Sequence, residues 1–229
     1  LNMTEIIEYD SDNQFITVGS GVTLAALQDK LAENNQWLPI RPPFFNAEST
    51  TGSVVAMAAA GPERAAYGAP RDFLLGLQYI DSSGSMVAAG GKVVKNVAGY
   101  DMTRLMTGSA GTLGFITEAS WKVVTRPEVC KMTASRGTLD NCFAAALKVI
   151  NSNLLPVFVT AVPENGAWKM MVGFEGIGDV VGHQVERCDQ IMSEQGLADA
   201  SLEEYPVTEG CFQDIFQQLS LSHSSARPI

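Results

Sequence analysis

Two stretches of the chain combine glycines, hydroxyls and small side chains in a pattern that leaves backbone within reach of a ligand. The first is Ser49-Thr50-Thr51-Gly52-Ser53, followed by Val54-Val55-Ala56-Met57-Ala58-Ala59-Ala60-Gly61. Hydroxyls and a glycine ahead of helix formers compose a helix start whose free amides and positive dipole end suit a phosphate. A branched side chain at Gly52 is expected to block that phosphate. The Ala and Gly that follow bury little area. They make sense beneath something large and flat, and equally in close helix–helix packing. The second stretch, Gly90 to Pro127, holds glycines 90, 91, 99, 108, 111 and 114, with Val93, Val94, Tyr100 and Asp101 between them. Within it, Gly108-Ser109-Ala110-Gly111-Thr112-Leu113-Gly114 opens a strand-like run from Phe115 to Val124. Its bare amides can face a polar ligand without a Cβ in the way. A pair of tight turns is the plainer alternative.

Groups able to carry acid–base chemistry are few. Proton transfer needs a positioned base, and an anionic substrate needs a cation beside it. The histidines are His183, on the polar side of an expected helix, and His223, in the tail. Arg71, Lys95 and Arg104 read as surface partners of neighbouring acids, and Tyr100 and Asp101 as braces of their loop. No histidine cluster of metal-binding type is present in the sequence, and no catalytic residue is assigned.

The composition permits a sizeable core: of 229 residues, 46% are hydrophobic and 17% charged. The formal charge of −10 argues against nucleic acid and anionic lipid as direct partners. No apolar run approaches the ~20 residues of a membrane span. The first ten residues carry acids where a signal peptide is basic. Cys130, Cys142, Cys188 and Cys211 are scattered, as reduced buried thiols of a cytosolic protein are.

The elements that must position these motifs read as α+β. Strands are expected at 6–9 and 15–19, with a helix capped by Thr23 and faced by Leu24, Leu27 and Leu31. Extended chain follows from Trp37 to Ile40, then a stiff Pro42-Pro43 turn. Tyr67-Gly68 and Arg71-Asp72 read as loop, 74–80 and 86–89 as a hairpin, 95–101 as loop, 102–106 as a short helix, and 114–125 as one long strand. No Rossmann G-x-G-x-x-G follows a strand. From about Cys130 the order is strand (131–135), helix (139–150, with Phe143, Leu147 and Ile150 on its packed face), strands (157–162 and 168–174) around Pro163-Glu164-Asn165-Gly166, helix (179–195) ended by Gly196, and strand (200–205). That is the βαββαβ order of a ferredoxin-like unit. An amphipathic helix is expected over 211–221, and 222–229 shows no pattern.

Taken together, Thr50-Thr51-Gly52-Ser53, Ala60-Gly61, Tyr67-Gly68, Arg71-Asp72, the 90–105 run GGKVVKNVAGYDMTRL and the 108–118 run GSAGTLGFITE resemble the FAD-binding domain of the vanillyl-alcohol-oxidase (PCMH) type. Within it they are most similar to the FAD-binding subunits of bacterial glycolate oxidases, also called glycolate dehydrogenases. The resemblance is strong over about 5–127 and weak over 128–229. It implies a second lobe of the FAD-binding domain over 1–127 and a ferredoxin-like cap-type domain, incomplete at its C-terminus, over 128–229. In that family FAD lies extended between two α+β lobes. The resemblance places Thr50, Thr51, Gly52 and Ser53 by the pyrophosphate, and Met57, Ala59, Ala60 and Gly61 beside the ribityl chain and flavin ring. Gly111, Gly114, Phe115 and Ile116 fall at the adenine end. Covalent members carry a histidine near the position of Ala60, so the flavin is expected to be held non-covalently.

The resemblance also implies a cytoplasmic component of a complex that oxidises glycolate, a small 2-hydroxy acid, to glyoxylate. Its partners would be a sister flavin subunit and an iron–sulfur subunit, with membrane contact only peripheral, at the inner face, through them. The family's Gly-rich phosphate loop has no counterpart in the sequence. This leaves a second reading, a scaffold subunit that has lost or weakened FAD binding. A stand-alone D-lactate-type dehydrogenase is disfavoured.

Overall fold

In a computed structural model, residues 3–42, 48–91 and 100–207 are described. Pro43, Val93, Val94, Lys95, Gly99, Cys211, His223 and the helix expected over 211–221 lie outside them. The described chain forms two compact units, one of residues 3–61 and 68–126, the other of 62–67 and 127–207.

In the first unit the hairpin strands β1 (Ile6–Asp10) and β2 (Phe15–Gly19) lead into helix α1 (Leu24–Ala32). Thr23 caps α1 by accepting from the Ala26 amide, and Leu24, Leu27 and Leu31 are buried. Only Gln36–Trp37 of the next extended stretch forms a strand, β3. Helix α2 spans Thr51–Met57, and α3 (Arg64–Tyr67) belongs to the second unit. Helix α4 spans Pro70–Phe73, where loop was expected. Pro70 at its first turn and the Asp72 carboxylate accepting from the Ala69 amide at 2.7 Å explain the difference. Strands β4 (Leu74–Ile80) and β5 (Met86–Gly90), helix α5 (Met102–Met106), and strands β6 (Phe115–Lys122) and β7 (Val124–Thr125) complete the unit.

The main sheet is antiparallel, in the order β1-β2-β6-β4-β5. The single strand expected over 114–125 is broken at Val123. Its amide bonds to the Gln14 carbonyl at 2.9 Å, and the chain beyond pairs with β3 instead. The core gathers Ile16, Val18, Leu24, Leu27, Leu31, Trp37, Val54, Val55 and Trp121.

The second unit runs β8 (Val129–Gly137), α6 (Leu139–Ile150), β9 (Phe158–Glu164), β10 (Ala167–Gly176), α7 (Gly178–Glu194) and β11 (Ala198–Glu204). Its antiparallel sheet has the order β11-β8-β10-β9, the expected ferredoxin-like arrangement. Asn165 and Gly166 both take positive φ, as a two-residue hairpin turn demands. Met170, Val172 and Phe174 of β10 pack beneath Val181, Val185, Cys188 and Met192 of α7. There burial pushes the Cys188 thiol up to about 12, so this cysteine is inert at neutral pH. One expectation fails. On α6 the packed residues are Cys142, Ala145 and Val149, while Phe143, Leu147 and Ile150 are exposed.

Candidate functional site

The two motifs meet through backbone. Helix α2 ends at Met57, short of Gly61, because Ala58 turns into the left-handed region at φ 49°. Two carbonyls of its last turns take amides from the other motif. Gly108 N–H donates to Val55 O at 2.9 Å, and Ala110 N–H to Ala56 O at 2.8 Å. A chain end that would otherwise be unsatisfied thus fixes the glycine loop against α2.

At the other end of α2 the amides are committed to the protein itself. Thr51 N–H donates to Val22 O and Gly52 N–H to Ser20 O, each at 2.9 Å. Ser53 N–H donates to Thr50 Oγ1 at 3.2 Å, and Thr50 N–H donates to Ser53 Oγ at 3.2 Å, closing a capping box. The expected free amides are therefore absent from this helix start. Gly52 has a packing reason as well: a Cβ there would lie 2.8 Å from Ser20 Cβ. A branched side chain at Gly52 strikes the fold before it reaches any ligand.

The glycine loop keeps its donors. Ser109 and Thr112 amides are used locally. Among the described residues the amides of Gly111, Leu113 and Gly114 have no hydrogen-bond partner. Gly111 has φ +73° with open space where a Cβ would be, so its backbone conformation, and not crowding, selects glycine. At Gly114 a Cβ would meet Ile80 O and Tyr79 Cδ2 at 2.8 Å. A bulge in β6 then re-aims the chain. The register slips between the pairs Gln78–Glu118 and Tyr79–Ile116, leaving Thr117 unmatched. The Thr117 carbonyl accepts from Ser20 N–H at 2.8 Å, tying β6 to the turn after β2.

The result is a cleft of about 420 Å³ that brings together Thr50, Gly52, Ser53, Gly111, Gly114, Phe115 and Ile116. Met3, Ser20, Gly21 and Ala56 also line it. Ser20 and Gly21 lie in the Gly-Ser-Gly turn over 19–21, and that composition at a strand-to-helix junction was their signal in the sequence. On the other flank of α2 a second cleft of about 420 Å³ is lined by Ser53, Met57, Ala59 and Ala60, with Pro42, Ser49, Val54 and Ala58. Ser53 joins the two. Thr51 is fully buried, its hydroxyl donating to Gly19 O at 3.2 Å, and neither it nor Gly61 lines either cleft.

The neighbouring charges are structural. Asp101 caps α5, accepting from Thr103 Oγ1 at 2.6 Å and Arg104 N–H at 3.1 Å. The Thr103 hydroxyl first, and then the Arg104 amide and charge, hold its carboxyl below the usual range. Arg104 pairs with Asp101 at 3.0 Å and Arg71 with Asp72 at 3.8 Å. The Tyr100 side chain is 95% exposed and makes no hydrogen bond among the described residues. His183 is exposed on α7. The clefts thus offer small apolar surface, hydroxyls and one set of open amides, a lining that fits an elongated ligand with a flat ring and polar middle.

This antiparallel architecture, with small-residue clefts flanking one short helix, defines a PCMH-type FAD-binding fold. A family model described as FAD binding domain matches residues 1–90. The chain is 36% identical over 173 residues to glycolate oxidase subunit GlcE of Escherichia coli (strain K12), covering 75% of this chain and 49% of that protein. It is 33% identical over 156 residues to glycolate oxidase subunit GlcD of Bacillus subtilis (strain 168), covering 68% and 33%. Against a D-lactate dehydrogenase of Archaeoglobus fulgidus the identity is 36% over 131 residues, covering 57% and 28%. Solved alkyldihydroxyacetonephosphate synthase shares the fold, with a TM-score of 0.73 at 21% identity over 89% of this chain and 42% of that one. Residues 1–90 are an FAD-binding domain, whose cofactor is FAD, and the chain is similar to glycolate oxidase subunits and 2-hydroxy-acid dehydrogenases. It spans about half the length, or less, of these relatives. Among the described residues no helix is long and apolar enough to cross a membrane.

Proposed function

We propose that the chain supplies the FAD-contacting lobe, residues 1–127, and the cap-type domain, from 128 onward, of a flavoprotein that oxidises glycolate to glyoxylate. The carrying observation is that Gly52 and Gly111, 59 positions apart, line one cleft whose glycine loop keeps three open amides. The Gly111–Gly114 amides and the Thr50 and Ser53 hydroxyls would take the polar part of FAD. The surface of Met57, Ala59 and Ala60 would lie along its ring system. FAD, when bound, supplies the acceptor for the hydride of the hydroxyl-bearing carbon. This chain's own residues bind and orient it. The partners in this reading are a sister flavin subunit and an iron–sulfur subunit, and the site of action is cytoplasmic, reaching the inner face of the membrane only through them.

A scaffold reading, in which the chain keeps the fold and docks the true oxidase, draws support from two observations. The amides at the start of α2 are committed within the protein, and among the described residues no acid–base pair lines either cleft. Titrating the chain, alone and in its complex, with FAD separates the two. The flavin reading expects a bound flavin absorption band, thermal stabilisation, and bleaching of that band by glycolate more than by D-lactate. Absence of retained flavin in both preparations rejects it and leaves the scaffold.

A further inference from the structure

The two edges of the second unit's sheet are built differently. The β11 edge is defended: Asp199 takes φ 55°, the register slips between Ala198 and Ser201, and Glu203 and Glu204 are exposed on it. Bulges and charges of this kind prevent edge-to-edge pairing. The β9 edge has none of them from Phe158 to Val162, and its pairing with β10 is regular throughout.

The turn at Asn165-Gly166 fixes which backbone groups of β9 are open. Glu164 and Ala167 are the hydrogen-bonded pair next to a two-residue turn, so Val162, Thr160 and Phe158 bond inward to β10. Val159, Ala161 and Pro163 then turn theirs outward. Pro163, which has no N–H to offer, occupies an outward position and costs the ladder nothing.

Beside this edge lies the face of α6 that the unit does not cover. Leu139, Phe143, Leu147 and Ile150 follow one another at helical spacing and are 50%, 65%, 46% and 60% exposed. A shallow cavity of about 140 Å³ between α6 and β9, lined by Leu139, Phe143, Ala146, Val159 and Ala161 among others, makes the stripe and the edge one continuous surface. Four such side chains leave a few hundred Å² of apolar area, roughly the largest patch a monomer ordinarily shows.

We propose that this surface pairs two copies of the chain, β9 against β9 across a two-fold axis at Thr160, with the α6 stripes in contact on one side of the joined sheet. The surface is self-complementary. With the axis at Thr160, Val159 of one copy faces Ala161 of the other, and both pairs exchange N–H···O bonds. No charged residue of β9 meets its like, because Glu164 falls beyond the paired segment. An isologous contact of this kind closes on itself and makes a dimer, not a fibre. The net charge of −10 per copy opposes association, so salt strengthens it.

The test is light scattering and sedimentation of the chain over a range of concentrations and salt. Expected is a rise from 24.5 kDa to twice that mass, with the midpoint at least threefold lower in 0.5 M than in 0.05 M salt. Phe143→Glu with Leu147→Glu should raise the midpoint at least tenfold while circular dichroism stays unchanged. Thr160→Cys, at a non-hydrogen-bonded pair across the axis, should give an oxidised dimer that the unsubstituted chain does not. The Thr160→Cys test also holds if the charged variant misfolds. A monomer under every condition, a dimer indifferent to both substitutions, or an α6 face that becomes protected only when a different chain is added, overturns the proposal.

Discussion

The start of α2 and the 108–114 loop look alike as sequence, glycine and hydroxyl on a short polar stretch, and differ in what their backbone does. At α2 the first amides close a capping box and stitch the helix to the turn over 19–22. In the loop, three amides stay open and two others hold α2's far end. A glycine at a close approach and a glycine at positive φ solve different problems. Gly52 makes room for Ser20, and Gly111 permits a bend. Only the second leaves donors for a ligand. What unites the two motifs is therefore the loop, which binds outward and braces inward at once.

The comparison breaks most visibly at Gly52. Gly52→Val forces atoms into contact with the Ser20 backbone, where little can shift, and should destabilise the unit by about 2–4 kcal/mol. Thermal denaturation checks this. Flavin binding and folding should be lost together, and a well-folded Gly52→Val chain that merely fails to bind FAD would return Gly52 to the role of ligand contact. Gly111→Ala should cost less, about 1–2 kcal/mol for an alanine at positive φ. Its effect on FAD affinity should exceed its effect on folding, read by titrating flavin fluorescence well below the melting temperature. Thr50→Ala removes the cap from α2 and should cost ~1 kcal/mol, with Thr50→Ser restoring most of it.

Much of this was legible. Residues 15–19, 74–80 and 139–150 take the elements their periodicity announces, and the βαββαβ order fixes the second sheet. The misses have physical causes. On α6, apolar residues cover more than half of the circumference, so a 3.6-residue period fits two faces. The face carrying small Cys142, Ala145 and Val149 allows the closer approach to the sheet, and it wins over Phe143 and Leu147. Helix α2 stops early because loop amides from fifty residues away cap it, a partner no local pattern contains. The resemblance groups Thr51 and Gly61 with their neighbours as site residues, and the side of the backbone on which a residue falls is decided by tertiary bonds such as Thr51 Oγ1 to Gly19 O.

The smallest effect sharpens the same contrast at a third cap. Asp101 holds the first turn of α5, and its lowered pKa ties that turn to pH. A carboxyl whose folded pKa lies below its unfolded value stabilises fully above the ordinary carboxylate range and loses the contribution as pH falls through the folded value. The carboxylate is half exposed, so solvent screens the effect to a few tenths of a kcal/mol. Asp101→Asn keeps an acceptor for the Thr103 hydroxyl and the Arg104 amide but removes the titration. Its melting temperature should match the unsubstituted chain closely at pH 7 and fall less steeply between pH 5 and pH 3. An unchanged slope would mean that the hydroxyl bond, and not the charge, does all the capping, and would place α5 with α2, where neutral hydroxyls suffice.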